Sequence, residues 1–179
     1  MIRAYRGRRP LLGARVFVDP SAQIIGDVTI GDDASVWPLA SVRGDVHRIR
    51  IGARTNVQDN SVLHVTHDGP YSPGGQPLIV GEDVTIGHGV ILHACTIGHR
   101  CLIGMGAIVM DRVVVEDEVL IAAGAVVSPG KTLKSGWLYR GSPAQPVREL
   151  SAEERAQLLY SARHYLRIKD HYLDGEGDD

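Results

Sequence analysis

Three histidines, His64, His88 and His93, share one short stretch of chain with Arg43, Asp45, Gln58 and Asp59. Imidazole is a ligand that suits zinc, iron and cobalt alike. Three such ligands around one ion leave a fourth tetrahedral position open. A zinc held in this way lowers the pKa of its bound water to about 7 and so supplies hydroxide at neutral pH. That chemistry requires three rings to converge, so the question becomes what aims them.

The aiming element is a repeat. Aliphatic residues recur every six positions at Val18, Ile24, Ile30, Val36 and Val42, then, after a three-residue insertion, at Ile51, Val57 and Leu63. Past a loop the series resumes at Val80, Ile86 and Leu92. With one position dropped, it continues through Ile97, Ile103, Val109, Val115, Ile121, Val127 and Leu133. A period of six fits neither a helix nor long strand alternation. It fits short strands broken by tight turns, the hexapeptide pattern of a parallel β-helix, in which three walls close one triangular coil of about eighteen residues around a stacked aliphatic core.

Counted in threes, Val42, Leu63 and Leu92 share one wall in successive coils. Arg43, His64 and His93 each follow their anchor by one, which predicts a column with neighbouring coils about 4.8 Å apart. Alternation turns this column outward and puts Asp45 on the same side. Val57 and Ile86 fall on the preceding wall, which places Gln58 near His88. Strict alternation would send His88 into the core, where a polar ring is costly; Gly87 and Gly89 predict instead a turn that frees it. Two histidines on one wall and one on another cannot easily converge within one prism. They can where subunits pack wall against wall, and a cyclic trimer closes such contacts into three identical sites. His47, His99, His164 and His171 lack this register and read as structural.

Around the repeat, residues 1–17 read as an N-terminal lead-in with turn signals at Gly7, Pro10 and Gly13, and with Arg3, Arg6, Arg8 and Arg9 as a solvated arm. Residues 18–135 form the repeat domain, and 136–150, with Gly136, Gly141, Pro143 and Pro146, a linker. Ser151 and Glu154 make a capping box that opens a helix over 151–173. Its apolar side, Leu158, Leu159, Ala162, Tyr165, Leu166, Ile168 and Lys169, has to cover the β-helix or a neighbouring subunit. The acidic residues 174–179 are expected to be disordered. Cys95 and Cys101, the two cysteines, match neither a disulfide framework nor a metal knuckle and read as repeat fillers, with any redox role left open. A chain of 179 residues, 44% hydrophobic, can bury one sizeable core. Its net charge of −2 gives no attraction for nucleic acid or an anionic membrane. No secretory leader and no spanning apolar run is seen, so the expected location is cytoplasmic.

The chain resembles the gamma-class carbonic anhydrases, most closely their short bacterial branch of YrdA-type hexapeptide-repeat proteins. The resemblance covers nearly the whole chain, through Trp37-Pro38, Arg43-Gly44-Asp45-Val46-His47, Ile51 to Asn56, Gln58-Asp59, Leu63 to His67 and Leu138 to Pro143. It implies a left-handed β-helix, where the usual crossover rule alone would predict a right-handed one. It also implies a homotrimer, and zinc or ferrous iron held by His64 and His93 of one subunit and His88 of the next, with cobalt equally suited to imidazole. By the same resemblance Gln58 matches the glutamine that bonds the metal-bound water, Arg43 and Asp59 an ion pair across the subunit interface, and Asp45 an interface acid. Tyr165 falls where the family places an active-site polar residue. The archaeal members carry glutamates where this chain has Val46 and His67, and His67 is a candidate substitute proton shuttle. The implied activity is reversible hydration of CO2 to bicarbonate by a metal-bound hydroxide. Alternative readings are a hexapeptide acyltransferase using a CoA thioester, and a metal-binding trimer that is non-catalytic or acts on another small electrophile.

Overall fold

The computed structural model describes residues 1–175 as a left-handed parallel β-helix closed by one C-terminal helix. One wall stacks Phe17–Val18, Ser35–Val36, Asn56–Val57, Thr85–Ile86, Leu102–Ile103, Leu120–Ile121 and Trp137–Arg140 in parallel. This is the first wall. The second, reached one turn later, carries Ile24, Val42, Leu63, Leu92, Val109 and Val127 in register. The third carries Leu12, Ile30, Ile51, Val80, Ile97, Val115 and Leu133. The anchors point inward, and Ile24, Leu63, Ile86, Leu92, Ile103 and Ile121 are fully buried. Each such burial contributes about 1.5–3 kcal/mol relative to exposure, so the stacked anchors are what closes the coil.

Turns at the corners need left-handed backbone, and many residues supply it without being glycine. Asp33, Arg54, Asp83, Arg100 and Glu118 occupy one corner at φ between 52° and 59°. Where the repeat does use glycine just before that corner, close approach is the reason. A Cβ on Gly52 would lie 2.4 Å from the carbonyl oxygen of Gly81 in the next coil. The three-residue insertion is absorbed in one long strand, Ser41–Ile51, whose register against Gln23–Ile30 shifts between Gly26 and Val28. Residues 44–48 therefore swell the corner between the second and third walls. The dropped position falls at Ala94, itself left-handed at φ 48°.

Three stretches differ from the sequence reading. The lead-in is tied down: Ile2–Arg3 pairs with Ile24–Ile25 and Leu11–Leu12 with Thr29–Ile30, which satisfies backbone groups that the first coil would otherwise leave open. Within it Arg8 pairs with Asp27 while its side chain stays largely exposed. The stretch 136–150 carries the last rung of the first wall, with Leu138 and Tyr139 beside Leu120 and Ile121, before Gln145–Glu149 folds back antiparallel on it. An aromatic anchor at Tyr139 hides this rung from an aliphatic pattern. The helix spans Ala152–Asp174, with both capping-box bonds made at Ser151 and Glu154 and a left-handed cap at Gly175. Asp174 thus belongs to the helix, and the rest of the acidic tail, 176–179, lies outside the described residues.

The helix packs on the first wall. Leu158, Ala162 and Lys169 are buried there, Tyr165 and Tyr172 stand edge-on to Trp37, and Ser161 accepts a hydrogen bond from Thr85. Cys95 and Cys101 are buried free thiols, and burial pushes Cys101 up to about 12 and Cys95 higher still. Neither is a thiolate at neutral pH, in keeping with a packing role. No helix among the described residues is long and apolar enough to cross a membrane.

Candidate metal centre

Because Leu63 and Leu92 are neighbouring anchors of the second wall, the residues after them meet. His64 and His93 are paired in register, with ring centroids 5.2 Å apart. His64 Nδ1 lies 3.2 Å from His93 Nε2. Two nitrogens bound to one tetrahedral zinc at about 2.0–2.1 Å must stand about 3.3 Å apart. The separation is one that a shared ion or a direct hydrogen bond could span.

Each ring's other nitrogen is occupied by a carboxylate. Asp45 Oδ1 lies 3.1 Å from His64 Nε2, and Asp45 is itself bonded by Arg43. Asp111 Oδ2 lies 2.8 Å from His93 Nδ1, and its other oxygen accepts from the Thr66 hydroxyl. Burial alone would raise both carboxyls. The hydrogen bonds from Arg43 and His64 outweigh it at Asp45, those from Thr66 and His93 outweigh it at Asp111, and both acids are held below the ordinary range. Burial depresses His64, helped by the nearby Arg43 and His93 charges and against the pull of Asp45, so its ring is neutral at pH 7, the form that binds a metal.

His88 sits at the corner where the chain leaves the first wall. Its direction follows from the turn: Gly89 is left-handed at φ 67° and donates its N–H to the Asp59 carbonyl at 2.8 Å. The ring is about half exposed, and Asp59 Oδ2 lies 2.9 Å from its Nδ1. His88 therefore does not enter the core, and within one chain it does not join the other two. Among the described residues, no three His, Cys, Asp or Glu side chains of a single chain converge as metal ligands.

The remaining candidates distribute around these two positions. Gln58 is buried and donates to Asn56 Oδ1 at 3.0 Å; it lines, with His88, Gly104 and Ser161, a largely apolar groove of about 370 Å³. Tyr165 is half-buried on the helix, and both burial and the negative charge of Asp59 raise its phenol. His67 lines a separate cavity of about 490 Å³ that it shares with Asp45, Val46 and His47. Arg43 and Asp59 do not meet within the chain: Arg43 pairs with Asp45, and Asp59 with His88.

Asp111 and Thr66 escaped the sequence reading. Carrying the second wall one coil further, to Val109, would have exposed Asp111 two residues on. Thr66 follows His64 by two, but nothing in its type marks it. The donor set fits a metal chemically, since two in-register imidazoles each have one nitrogen fixed by a carboxylate and the other turned toward the partner ring.

Residues 94–129 match the family model described as bacterial transferase hexapeptide (six repeats). The chain is 55% identical over 174 residues to protein YrdA of Escherichia coli, covering 97% of this chain and 95% of that one. It is 43% identical over 161 residues to gamma carbonic anhydrase 1, mitochondrial, of Arabidopsis thaliana, covering 90% of this chain and 58% of the plant protein. A crystal structure described as a hexapeptide transferase family protein from Anaplasma phagocytophilum superposes with a TM-score of 0.89 at 41% identity, over 96% of this chain and 98% of that one.

Proposed function

The chain belongs to the hexapeptide-repeat family of protein YrdA and the gamma carbonic anhydrases, and from that membership we propose that it hydrates CO2 reversibly to bicarbonate at a metal centre formed between subunits of a trimer. The observation that carries this reading is that all three candidate histidines have a carboxylate on one ring nitrogen: Asp45 on His64, Asp111 on His93 and Asp59 on His88. Such pairing fixes tautomer and orientation and is the usual company of a metal-ligating histidine. Three surface histidines with no common purpose have no reason to share it.

The proposed ligands are His64 and His93 of one subunit with His88 of the next, and zinc is the first candidate ion, with ferrous iron and cobalt also suited to imidazole. When bound, the ion lowers the pKa of water to about 7 and so provides a nucleophile at neutral pH. The chain's own residues do the rest. Asp45, Asp111 and Asp59 each hold a proton on the far ring nitrogen and leave the near one as a lone pair. Gln58, its amide nitrogen held by Asn56, keeps its amide oxygen free to accept from water or bicarbonate. The groove it lines beside His88 is mostly apolar, which suits uncharged CO2. His67 would pass protons outward, a role its shared cavity with Asp45 supports, and the Tyr165 phenol feels the charge of Asp59. Arg43 and Asp59 do not meet within one chain, and a pairing across the proposed interface would add to the contacts they already make with Asp45 and His88.

The test is stopped-flow CO2 hydration on protein whose metal has been quantified and reloaded with zinc or, without oxygen, with ferrous iron. Rapid turnover that vanishes in His93→Ala is the expected result; full metal occupancy without turnover sinks the anhydrase reading and favours another small electrophile or a non-catalytic trimer. A second reading, acyl transfer from a CoA thioester, draws on the transferase-family relative and on the groove beside His88. Saturable binding of acetyl-CoA with no CO2 hydration would select it.

A further inference from the structure

The far edge of the first wall holds a second cleft, of about 550 Å³, between the C-terminal helix and the charged corner. Four arginines and one carboxylate line it: Arg54, Asp83 and Arg100 from the corner, Arg163 and Arg167 from the helix. Leu159 and Leu166, both half-buried, form its floor. We propose that this cleft binds a small phosphate-bearing molecule, with its phosphates on the arginines and its organic part on the two leucines.

The charge arrangement carries the argument. Arg54 is engaged by Glu82 and Asp83, and Arg100 by Glu118, which also receives Arg155. No carboxylate pairs with Arg163 or Arg167 among the described residues, and Arg167 instead lies 5.8 Å from the ring centroid of Tyr160. These two are one helical turn apart, a like-charge placement that destabilises a helix unless something neutralises it. The acid nearest in sequence, Asp170, is taken by Lys169 and Arg15. The helix thus turns two guanidinium groups without a carboxylate partner toward two carboxylate-paired ones in a cleft large enough for a small molecule. Guanidinium forks match the oxygens of a phosphate in pairs, and their planar, weakly hydrated heads tolerate an apolar floor better than ammonium groups would. The cleft lies at the corner opposite His88, so it is separate from the proposed metal centre.

The full-length, metal-loaded protein should be titrated calorimetrically with inorganic pyrophosphate and with ADP at about 0.15 M salt, where exposed charges are screened beyond about 8 Å. Saturable binding of one molecule per chain is expected, with ADP tighter than pyrophosphate because it also covers the leucines. Arg163→Gln/Arg167→Gln should weaken both at least tenfold while metal content and CO2 hydration stay at their starting values. Absence of saturable binding, or equal affinity in the double variant, overturns the proposal. So does binding that survives the double variant and disappears in His93→Ala, since that would place the anion at the histidines.

Discussion

Two corners of the prism make the same left-handed turn from different residues. At the corner leading into the first wall the turn residues are Arg15, Asp33, Arg54, Asp83, Arg100 and Glu118, alternating in charge from coil to coil. At the corner leading out of it, past Leu39, they are Asn60, Gly89, Gly106 and Gly124. Backbone bonds run up both columns alike: Arg54 N–H reaches Asp32 and Asp83 N–H reaches Ala53 on one side, as Gly89 N–H reaches Asp59 and Gly106 N–H reaches His88 on the other. Side chains at the first corner are spent on one another and on the helix, through Arg54–Asp83, Arg100–Glu118, Arg155–Glu118 and Lys169–Asp33. At the second, from Gly89 onward, they are pared to hydrogen, and the residue beside the turn, His88, stands about half exposed with Asp59 bonded to its ring. One corner moors the helix and the other leaves the His88 imidazole accessible. The repeat sets the backbone at both, and the choice of turn residue decides what each is for.

The sharpest test of that division takes one residue from each corner. His88→Ala should lose metal and CO2 hydration completely, measured by metal analysis and stopped flow, whereas Arg100→Ala should keep both. The arginine's exposed pairing with Glu118 is worth about 0–1 kcal/mol, visible only as a small shift in urea unfolding. Retention of metal by His88→Ala would remove that residue from the proposed ligand set and the functional meaning from the comparison.

Mooring at the charged corner depends most on Lys169, which is fully buried with its Nζ 2.8 Å from Asp33 and 2.6 Å from Asp170. Asp33→Ala/Asp170→Ala strands that ammonium and should destabilise the fold by about 3 kcal/mol in urea unfolding. Lys169→Met, which removes the charge and keeps the volume, should cost under about 1 kcal/mol. Equal losses in the two variants would mean that packing, not the ion pairs, holds the helix down.

Asp111 gives the matching test on the histidine wall, where a carboxylate orients an imidazole in place of tethering a helix. Asp111→Asn should weaken metal binding by about 10- to 100-fold, or about 1.4–2.7 kcal/mol, as read by competition with a chelator. Unfolding of the metal-free protein should change by less than that. Unaltered metal affinity would show that the His93 ring is held without its carboxylate.

How legible each part was follows from what sets it. His64 and His93 could be placed from sequence because each directly follows an aliphatic anchor, and the register of the anchors is the register of the rings. His88 could be placed at a turn from its flanking glycines, but its exposure and its bond to Asp59 depend on the corner's geometry. The carboxylate partners were harder still. Asp111 lies a full coil beyond His93, and hexapeptide corners are full of aspartates, so its type carries no signal until the coils are stacked. Tyr139 at an anchor position and the pairing of Leu11–Leu12 with the first coil were hidden by the aliphatic template itself. The register shift at residues 44–48 follows from an insertion whose length was visible and whose path was not.

The smallest expected effect is a pH response confined to the helix side. Arg148 grips the Glu154 carboxylate with two hydrogen bonds of 2.7 Å, and the Ser151 N–H adds another at 2.9 Å. Together they hold the Glu154 carboxyl down at about 2 from an ordinary 4.5. A carboxylate depressed in the folded state contributes stability that is fully present above its unfolded pKa and is lost as pH falls toward the folded one. The contribution should therefore fade between pH 4.5 and about 2. The informative quantity is the difference between wild type and a variant that lacks this carboxylate alone. Helical circular dichroism followed by unfolding at each pH should show wild type more stable than Glu154→Gln near neutrality, with the gap closing on acidification. Glu154 is exposed and its pairing is screened, so the gap should be modest and should shrink in high salt. Among the described residues the glycine corner has no comparable carboxylate grip on the helix, and a Gly106→Ala variant should therefore stay offset from wild type by a constant amount over the same pH range. A gap for Glu154→Gln that is equally constant would mean that its carboxylate serves the helix only through the neutral geometry of the capping box.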